Sequence, residues 1–441
     1  MDTLILLLII MKYSRYNFIY KITESKFVLY NLLSDKILVL LPDMVSLLKT
    51  NKHQPQALRE IHPDFYNVLL ENRFIVKLDC DEYGLAIERF IKKDADRDIY
   101  SITINPTLDC NLHCWYCYEK HIPLSKMSQD IYSNILALIR QHVIEKNISI
   151  SFFGGEPLLS FEDIIIPLLD EVKHLCDTYS KKLYISFTTN GTLLTDNKLK
   201  RLLQYTPNIN FQIALDGGES HHNTVKFFHH KSEGTYRLTI DNIKNTIHNK
   251  LPVIVRCNFT HITIQSFLSV LQEFVNSSDE EKKILYFDFH RIWQDKDAIY
   301  NKYIQKQFKA IVSYGKKHNL EISDGTKSLY MGSKCYADDN AQVLVNYNGD
   351  LYKCTAQDFT TDNRVGQLTK KGKLVFNDKY KKFLSNSFPN KACAKCKIFP
   401  LCMGGCYKVR ITTTDLKSCP LAYSPSLKRN IIRRRIQFLL S

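Results

Sequence analysis

No apolar run in this 441-residue chain approaches the roughly 20 residues that a membrane-crossing helix needs, so no helical span and no membrane partner is expected. Internal repeats and low-complexity stretches are also missing, which removes solenoids and disordered linkers from consideration. The first ten residues, Met1 to Ile10, are apolar, yet no basic segment precedes them and no small-residue cleavage site follows, so they do not read as a secretory signal. Met11 opens an ordinary strand-like segment, and the residues before it read as an upstream misassigned start or a frayed extension. The cytoplasm is the expected compartment.

Acidic residues are scarce: 45 Asp and Glu face 60 Lys and Arg, a formal charge of +15. The excess is densest between Lys428 and Arg435. It reads either as a solvated surface or as the complement of an acidic partner, a flavodoxin-type electron donor or a peptide; nucleic acid is not expected. A hydrophobic fraction of 44% with 24% charged residues is that of a globular protein with room for two or three domains.

Cysteine is abundant, with thirteen residues. Where thiols are kept reduced, that number argues for metal binding rather than disulfides. Ten fall in two groups, at 110–117 and 335–419, while Cys80, Cys176 and Cys257 sit alone in apolar surroundings and read as buried small hydrophobes.

From residue 100 onward, short β-branched or aromatic runs alternate with helical periods, as in parallel βα units. The strand-like runs are Ser101–Asn105, Ile148–Phe153, Leu183–Thr188, Ile209–Leu215, Pro252–Phe259 and Ile284–Phe289. Helical patterns fill Asp130–Glu145, Phe161–Tyr179, Asn197–Tyr205, Tyr236–His248, Ile264–Val275 and Ala298–His318. Each motif described below falls at the C-terminal end of a strand, which favours an α/β chain built as a partial (β/α)6 TIM-like barrel over an open sheet. Residues 11–95 read as a small α+β domain, with strands Phe18–Ile22, Phe27–Tyr30 and Ile37–Leu41, a turn at Ser34-Asp35, and helical stretches at Met44–Leu48 and Phe65–Glu71. After residue 330 the periodicity weakens and metal ligation is expected to replace a core. The expected spans are 11–95, 100–320 and 330–425.

Cys110, Cys114 and Cys117 follow the first strand. Three soft thiolates in one loop suit a cubane cluster with one iron left open. A zinc ion would want a fourth ligand, for which His113 stands in the loop. Phe153-Gly154-Gly155-Glu156-Pro157 ends the second strand; its glycines let backbone approach a ligand, and Glu156 can accept from an ammonium group. Thr189-Asn190-Gly191 ends the third strand, Leu215-Asp216-Gly217 the fourth, and Arg256 and Asn258 lie on the fifth.

This ordered set resembles the radical S-adenosylmethionine (SAM) superfamily. The resemblance implies a [4Fe-4S] cluster on Cys110, Cys114 and Cys117 whose open iron is chelated by SAM. It implies further that Gly154, Gly155, Glu156 and Pro157 bind the methionyl amino group, and that Asn190, Asp216 and Asn258 line the pocket. Where relatives commonly read His-Asp-x-x-Arg, this chain reads His222-Asn223-Thr224-Val225-Lys226, so the Arg expected at the cofactor carboxylate would be Lys226, a point charge in place of a fork.

The later cysteines run Cys335, Gly349-x4-Cys354, Cys393-x2-Cys396-x5-Cys402-x3-Cys406 and Cys419. They resemble a SPASM domain, which implies two auxiliary [4Fe-4S] clusters. Cys335, Cys354 and Cys406 would hold the first, with an open iron or an unidentified fourth ligand; Cys393, Cys396, Cys402 and Cys419 would hold the second. A zinc ribbon on Cys393, Cys396, Cys402 and Cys406 is the alternative. With all three clusters bound, the net charge falls to roughly +11.

The resemblance implies a radical SAM peptide maturase. Reductive cleavage of SAM would give a 5′-deoxyadenosyl radical that abstracts hydrogen from a ribosomally made precursor peptide, leading to a crosslink, an epimerisation or an oxidation. Residues 11–95 would grip a leader peptide as an added strand, and a flavodoxin- or ferredoxin-type protein would supply electrons. One alternative is an anaerobic sulfatase-maturing enzyme, against which stands Thr355 at the position of that branch's basic Asp, with Asp358 the nearest acid. A second is a non-catalytic cluster-bearing scaffold, mildly favoured by Asn223 and Lys226. No catalytic residue is assigned.

Overall fold

A computed structural model of the chain describes residues 10–95, 98–228, 231–323, 335–385 and 390–440. The reading of the first ten residues lies outside the described residues apart from Ile10. Among the described residues no helix is long and apolar enough to cross a membrane.

Contacts group the chain into two units. One holds the described residues up to 95, Cys335 and 390–440; the other holds 98–323 and 336–385. This grouping differs from the spans 11–95, 100–320 and 330–425: the last is shared between the units.

The second unit is built on one eleven-stranded sheet. Its strands are β1 (Ile99–Ile104), β2 (Asn147–Phe152), β3 (Leu183–Thr189), β4 (Ile209–Leu215), β5 (Val253–Phe259), β6 (Leu285–Arg291), β7 (Glu321–Ser323), β8 (Gln342–Val345), β9 (Asp350–Tyr352), β10 (Gly366–Thr369) and β11 (Lys373–Phe376). The order is β7-β6-β5-β4-β3-β2-β1-β8-β9-β10-β11. Strands β1 to β7 pair in parallel, β8 pairs in parallel with β1, and β8 to β11 form an antiparallel meander. Because β1 to β7 add in chain order on one side, there is no reversal point of the doubly wound kind; this is the succession of a barrel wall. Residues 336–385 thus extend the same sheet.

Helices α1 (Gln129–Val143), α2 (Ile166–Thr178), α3 (Asp196–Leu203), α4 (Glu219–Val225), α5 (Tyr236–His248), α6 (Phe267–Gln272) and α7 (Asn301–Lys317) lie between the parallel strands. Ser128 caps α1 by accepting from Ile131 N, and Thr195 caps α3 by accepting from Lys198 N. Along β3 to β6 buried and partly exposed residues alternate. Ile185, Phe187, Ile213, Val255 and Phe287 are buried, while Ser186, Thr188, Gln212, Arg256, Asn258, Asp288 and His290 on the other face are partly exposed. The open face is therefore polar, and it leads to the strand ends that carry the motifs.

In the first unit, Asn17–Lys21, Phe27–Asn31 and Lys36–Leu40 form an antiparallel sheet with 17–21 and 36–40 at its edges. One side packs Leu29 and Leu40 against Val45, Leu48, Phe65 and Leu69 from the helices Pro42–Thr50 and Pro63–Glu71. The other side packs Tyr16, Val28 and Tyr30 against Ile398, Phe399, Leu401 and, from helix α8 (Pro425–Leu440), Ile431, Ile432 and Ile436. The cysteine-rich segment therefore has a hydrophobic core after all. Of the three lone cysteines, Cys176 and Cys257 are buried, but Cys80 is partly exposed, just beyond the turn that follows the strand Ile75–Lys77.

Candidate active site

The Cys110–Cys117 loop leaves the C-terminal end of β1 and is held from three sides. Leu112–His113 pairs antiparallel with Phe227–Phe228, just after Lys226. Asp109, before the first cysteine, accepts from Cys110 N and Leu124 N through its carboxylate, and its backbone oxygen accepts from Glu156 N at 2.8 Å. The bend after β2 has left-handed backbone at Gly154 (φ +82) and Gly155 (φ +50), and a Cβ on Gly155 would lie 2.1 Å from Asp109 O. Glycine is needed there because two loops touch backbone to backbone.

The Glu156 carboxylate is fully buried and serves inside the protein. One oxygen accepts from Leu158 N and Thr189 Oγ1, the other from Thr189 Oγ1 and Asn190 N, at 2.8–3.0 Å. It thereby ties the end of β2 to the end of β3. These bonds brace the site. Pro157, also buried, begins the turn that follows. Asn190 continues the link, donating to Asn111 Oδ1 at 2.8 Å with its amide 3.9 Å from Cys110 Sγ.

Lys226 and Asp216 form an ion pair at 3.0 Å with each side chain 3% exposed. The ammonium also donates to Ala214 O at 2.8 Å. Burial alone would lower its pKa, but the Asp216 carboxylate beside it outweighs that and holds the group charged. Lys226, which stands where the resemblance expects a cation at the cofactor carboxylate, is paired with Asp216 in this structure. Asp216 also accepts from Tyr116 OH at 2.5 Å, and Asn258 Nδ2 donates to the same phenol at 3.0 Å. Asp216 and Asn258 thus clamp the aromatic of the cysteine loop. His222, buried and neutral, accepts from Asp216 N and contacts Thr235; Asn223 accepts from Tyr236 N at the start of α5.

Burial raises all three loop thiols, Cys114 to about 12 and Cys117 to about 11, and their neighbours Asp216 and Glu119 push the same way. Protons are expelled from such thiols when a metal binds them, so the donor chemistry fits an iron–sulfur cluster. Glu119 was not singled out by the sequence. Burial pushes its carboxyl up to about 7 against the bond it accepts from Gly155 N at 3.0 Å, and Asp358, which accepts from Lys120 N, adds to the rise. Nothing in the spacing of Glu119 marks it, because its burial depends on the Gly154-Gly155 bend.

In the first unit, Cys393, Cys396, Cys402 and Cys419 line one cavity, together with Phe399 and Tyr423. Burial raises Cys393 to about 11 and Cys402 to about 12, and the thiols reinforce one another. Cys406 is exposed and is not among the lining residues. Among the described residues no three or more His, Cys, Asp or Glu side chains are grouped closely enough to hold a metal ion; the four thiols share the lining of the cavity. Cys354 lies in the sheet unit, where Tyr336 OH and Ala356 N point at its sulfur, whereas Cys335 and Cys406 belong to the first unit.

Residues 104–274 match the family described as the radical SAM superfamily. The radical SAM cyclopropyl synthase TigE of Paramaledivibacter caminithermalis is 23% identical over 380 residues, 78% of this chain and 76% of that one. The cysteine-type anaerobic sulfatase-maturating enzyme of Clostridium novyi is 23% identical over 337 residues, 69% of this chain and 87% of that one. In fold the chain is similar to Streptococcus suis SuiB bound to precursor peptide SuiA, with a TM-score of 0.52 at 16% identity over 92% of this chain and 98% of that one. Residues 104–274 thus match the radical SAM superfamily, a family that implies a [4Fe-4S] cluster and SAM, and the chain as a whole is similar to radical SAM enzymes that act on peptides or proteins.

Proposed function

We propose that the protein is a maturase of a ribosomally made precursor peptide. The observation that carries this reading is the conjunction of a three-cysteine loop interlocked with the Gly154–Pro157 bend and a four-cysteine cavity packed on an α+β sheet with exposed edges. When bound, the cluster and SAM supply a 5′-deoxyadenosyl radical able to take hydrogen from an unactivated carbon. Cys110, Cys114 and Cys117 would hold that cluster, and Cys393, Cys396, Cys402 and Cys419 a second one. The chain's own contribution is placement. Tyr116 is clamped by Asp216 and Asn258, Glu156 joins two strand ends, and the polar lumen beside them, with Arg256, Asp288 and His290, is where a peptide segment meets the site.

The edge strand Lys36–Leu40 carries Val39 at 53% exposure and runs into Leu41 at 59%, a surface suited to an added strand from a leader peptide. The fold likeness to SuiB, whose structure includes the precursor peptide SuiA, supports a peptide substrate.

Sulfatase maturation is the second reading, favoured by the Clostridium novyi relative. Against it, the position of the expected basic Asp is Thr355, whose hydroxyl and backbone N–H both engage Tyr336 OH at 2.7 Å.

The test is anaerobic reconstitution with iron and sulfide analysis, then SAM and dithionite. Iron with sulfide and release of 5′-deoxyadenosine are expected; binding of SAM without that product would make the protein a scaffold. A precursor peptide encoded beside the gene should gain a mass change, whereas efficient formylglycine formation on a Cys-type sulfatase peptide would move the assignment to the second reading.

A further inference from the structure

The positive charge of this chain is not spread evenly. Residues 390–440 contain eleven lysines and arginines and one acidic residue, Asp415, against 49 basic and 44 acidic residues in the rest of the chain. An evenly solvated lysine coat would not concentrate so. Lys391, Lys395 and Lys397 are exposed and interleave with Cys393 and Cys396, Lys428 lines the four-cysteine cavity, and Arg429 and Arg433 are exposed one turn apart on α8. None of these six side chains has an ion pair among the described residues; Arg433 donates only to Asn430 beside it. Arg435 differs, being tied to Asp35. Cys396, Cys402 and Cys419 are themselves partly exposed, so the cavity lies close to solvent.

A segment whose charges are almost all of one sign, lining and flanking a cavity of four thiols, is suited to a transient, electrostatically steered encounter, for which a small interface suffices. Charge magnitude decides its sign. A four-thiolate cubane carries about −2, so with Asp415 the negative side is far outweighed by the eleven cations and an acidic partner is attracted. Nucleic acid and anionic lipid share that attraction, but neither accounts for lysines threaded between the cavity's own cysteines.

We propose that this face of residues 390–440 docks a small acidic electron-carrier protein of the flavodoxin or ferredoxin class beside the four-cysteine cavity. The inference rests on the reading that this cavity holds an iron–sulfur cluster.

The experiment titrates reconstituted full-length protein with an acidic flavodoxin in its FMN form, by calorimetry. Saturable binding is expected at about 50 mM salt, weakening at least about tenfold by 300 mM. The quadruple variant Lys395→Glu, Lys397→Glu, Arg429→Glu, Arg433→Glu should weaken it a further tenfold or more, with thermal unfolding and iron content retained. Reversal of the exposed Lys302, Lys306 and Lys309 on α7 should leave it unchanged. No binding at low salt, or equal loss in both variants, would overturn the proposal. So would binding of heparin or anionic vesicles, but not flavodoxin, through the four residues. Iron analysis of Cys393→Ser and Cys396→Ser separates the two levels: iron unchanged by these substitutions removes the cluster reading, while iron lost without flavodoxin binding in the parent protein removes only the docking.

Discussion

An alanine methyl at Gly155 would strike a backbone oxygen at 2.1 Å, and one at Gly154 would meet the buried Asn105 side chain at 2.6 Å and its fixed Cβ at 2.7 Å. Gly155→Ala and Gly154→Ala are therefore each expected to cost about 1–3 kcal/mol in urea unfolding and to lower the iron retained after reconstitution. At Lys226 the argument is electrostatic. Lys226→Met strands the buried Asp216 carboxylate and should cost about 3–5 kcal/mol, while Lys226→Met with Asp216→Leu should recover much of that loss; urea midpoints of the three variants test it. The glycines and cysteines of the site were readable because residue type and spacing carry their meaning. The engagements of Lys226, Glu156 and Glu119 were not, since each depends on a partner supplied by another loop.

Among the elements, α8 was the one least visible in the sequence. Its Lys428 to Arg435 stretch reads as a basic run, yet Ile431, Ile432 and Ile436 bury a stripe against a sheet some four hundred residues earlier. Arg435 completes the contact by reaching the Asp35 carboxylate at 2.7 Å, with Tyr30 OH donating to the same group at 2.6 Å. Asp35 has a left-handed backbone (φ 57), which asparagine also accommodates. Asp35→Asn thus removes charge without backbone strain and is expected to cost about 1–3 kcal/mol, read as a lower melting temperature by circular dichroism. The six parallel strands and their helices, by contrast, were legible, because alternation along β3 or β5 reports its own burial.

For the whole molecule, buried and partly buried groups of opposite sense shape the response to acid, His222, Asp35 and Glu119 among them. Burial holds His222 near 3, far below the usual histidine value of about 6.5, so the unfolded chain takes up a proton that the folded one refuses. Stability is therefore complete above about pH 6.5 and falls below it, by roughly 1.4 kcal/mol per pH unit for this group. Asp35 lies below its ordinary value: burial raises it, but the bonds from Tyr30 and Arg435 prevail. Its contribution is present above the normal carboxylate range and is lost as pH falls through and below about 4. Glu119, raised to about 7, works the other way, since the folded chain takes up its proton first and gains stability as pH falls below 7. The difference in guanidinium midpoint between His222→Gln and the parent should therefore shift in favour of the variant from pH 7.5 to 5.5, while that between Asp35→Asn and the parent should not.

The sequence by itself determined the cysteine groupings, the glycine bends and the βα succession, because residue spacing and strand alternation are local properties that survive any arrangement of the rest. Tertiary structure alone decided that residues 336–385 extend the main sheet, that α8 and the cysteine segment share a core with the N-terminal sheet, and that Lys226 is paired with Asp216. Those outcomes depend on burying apolar faces and pairing buried charges between segments distant in sequence, and no local pattern records which distant face is the partner.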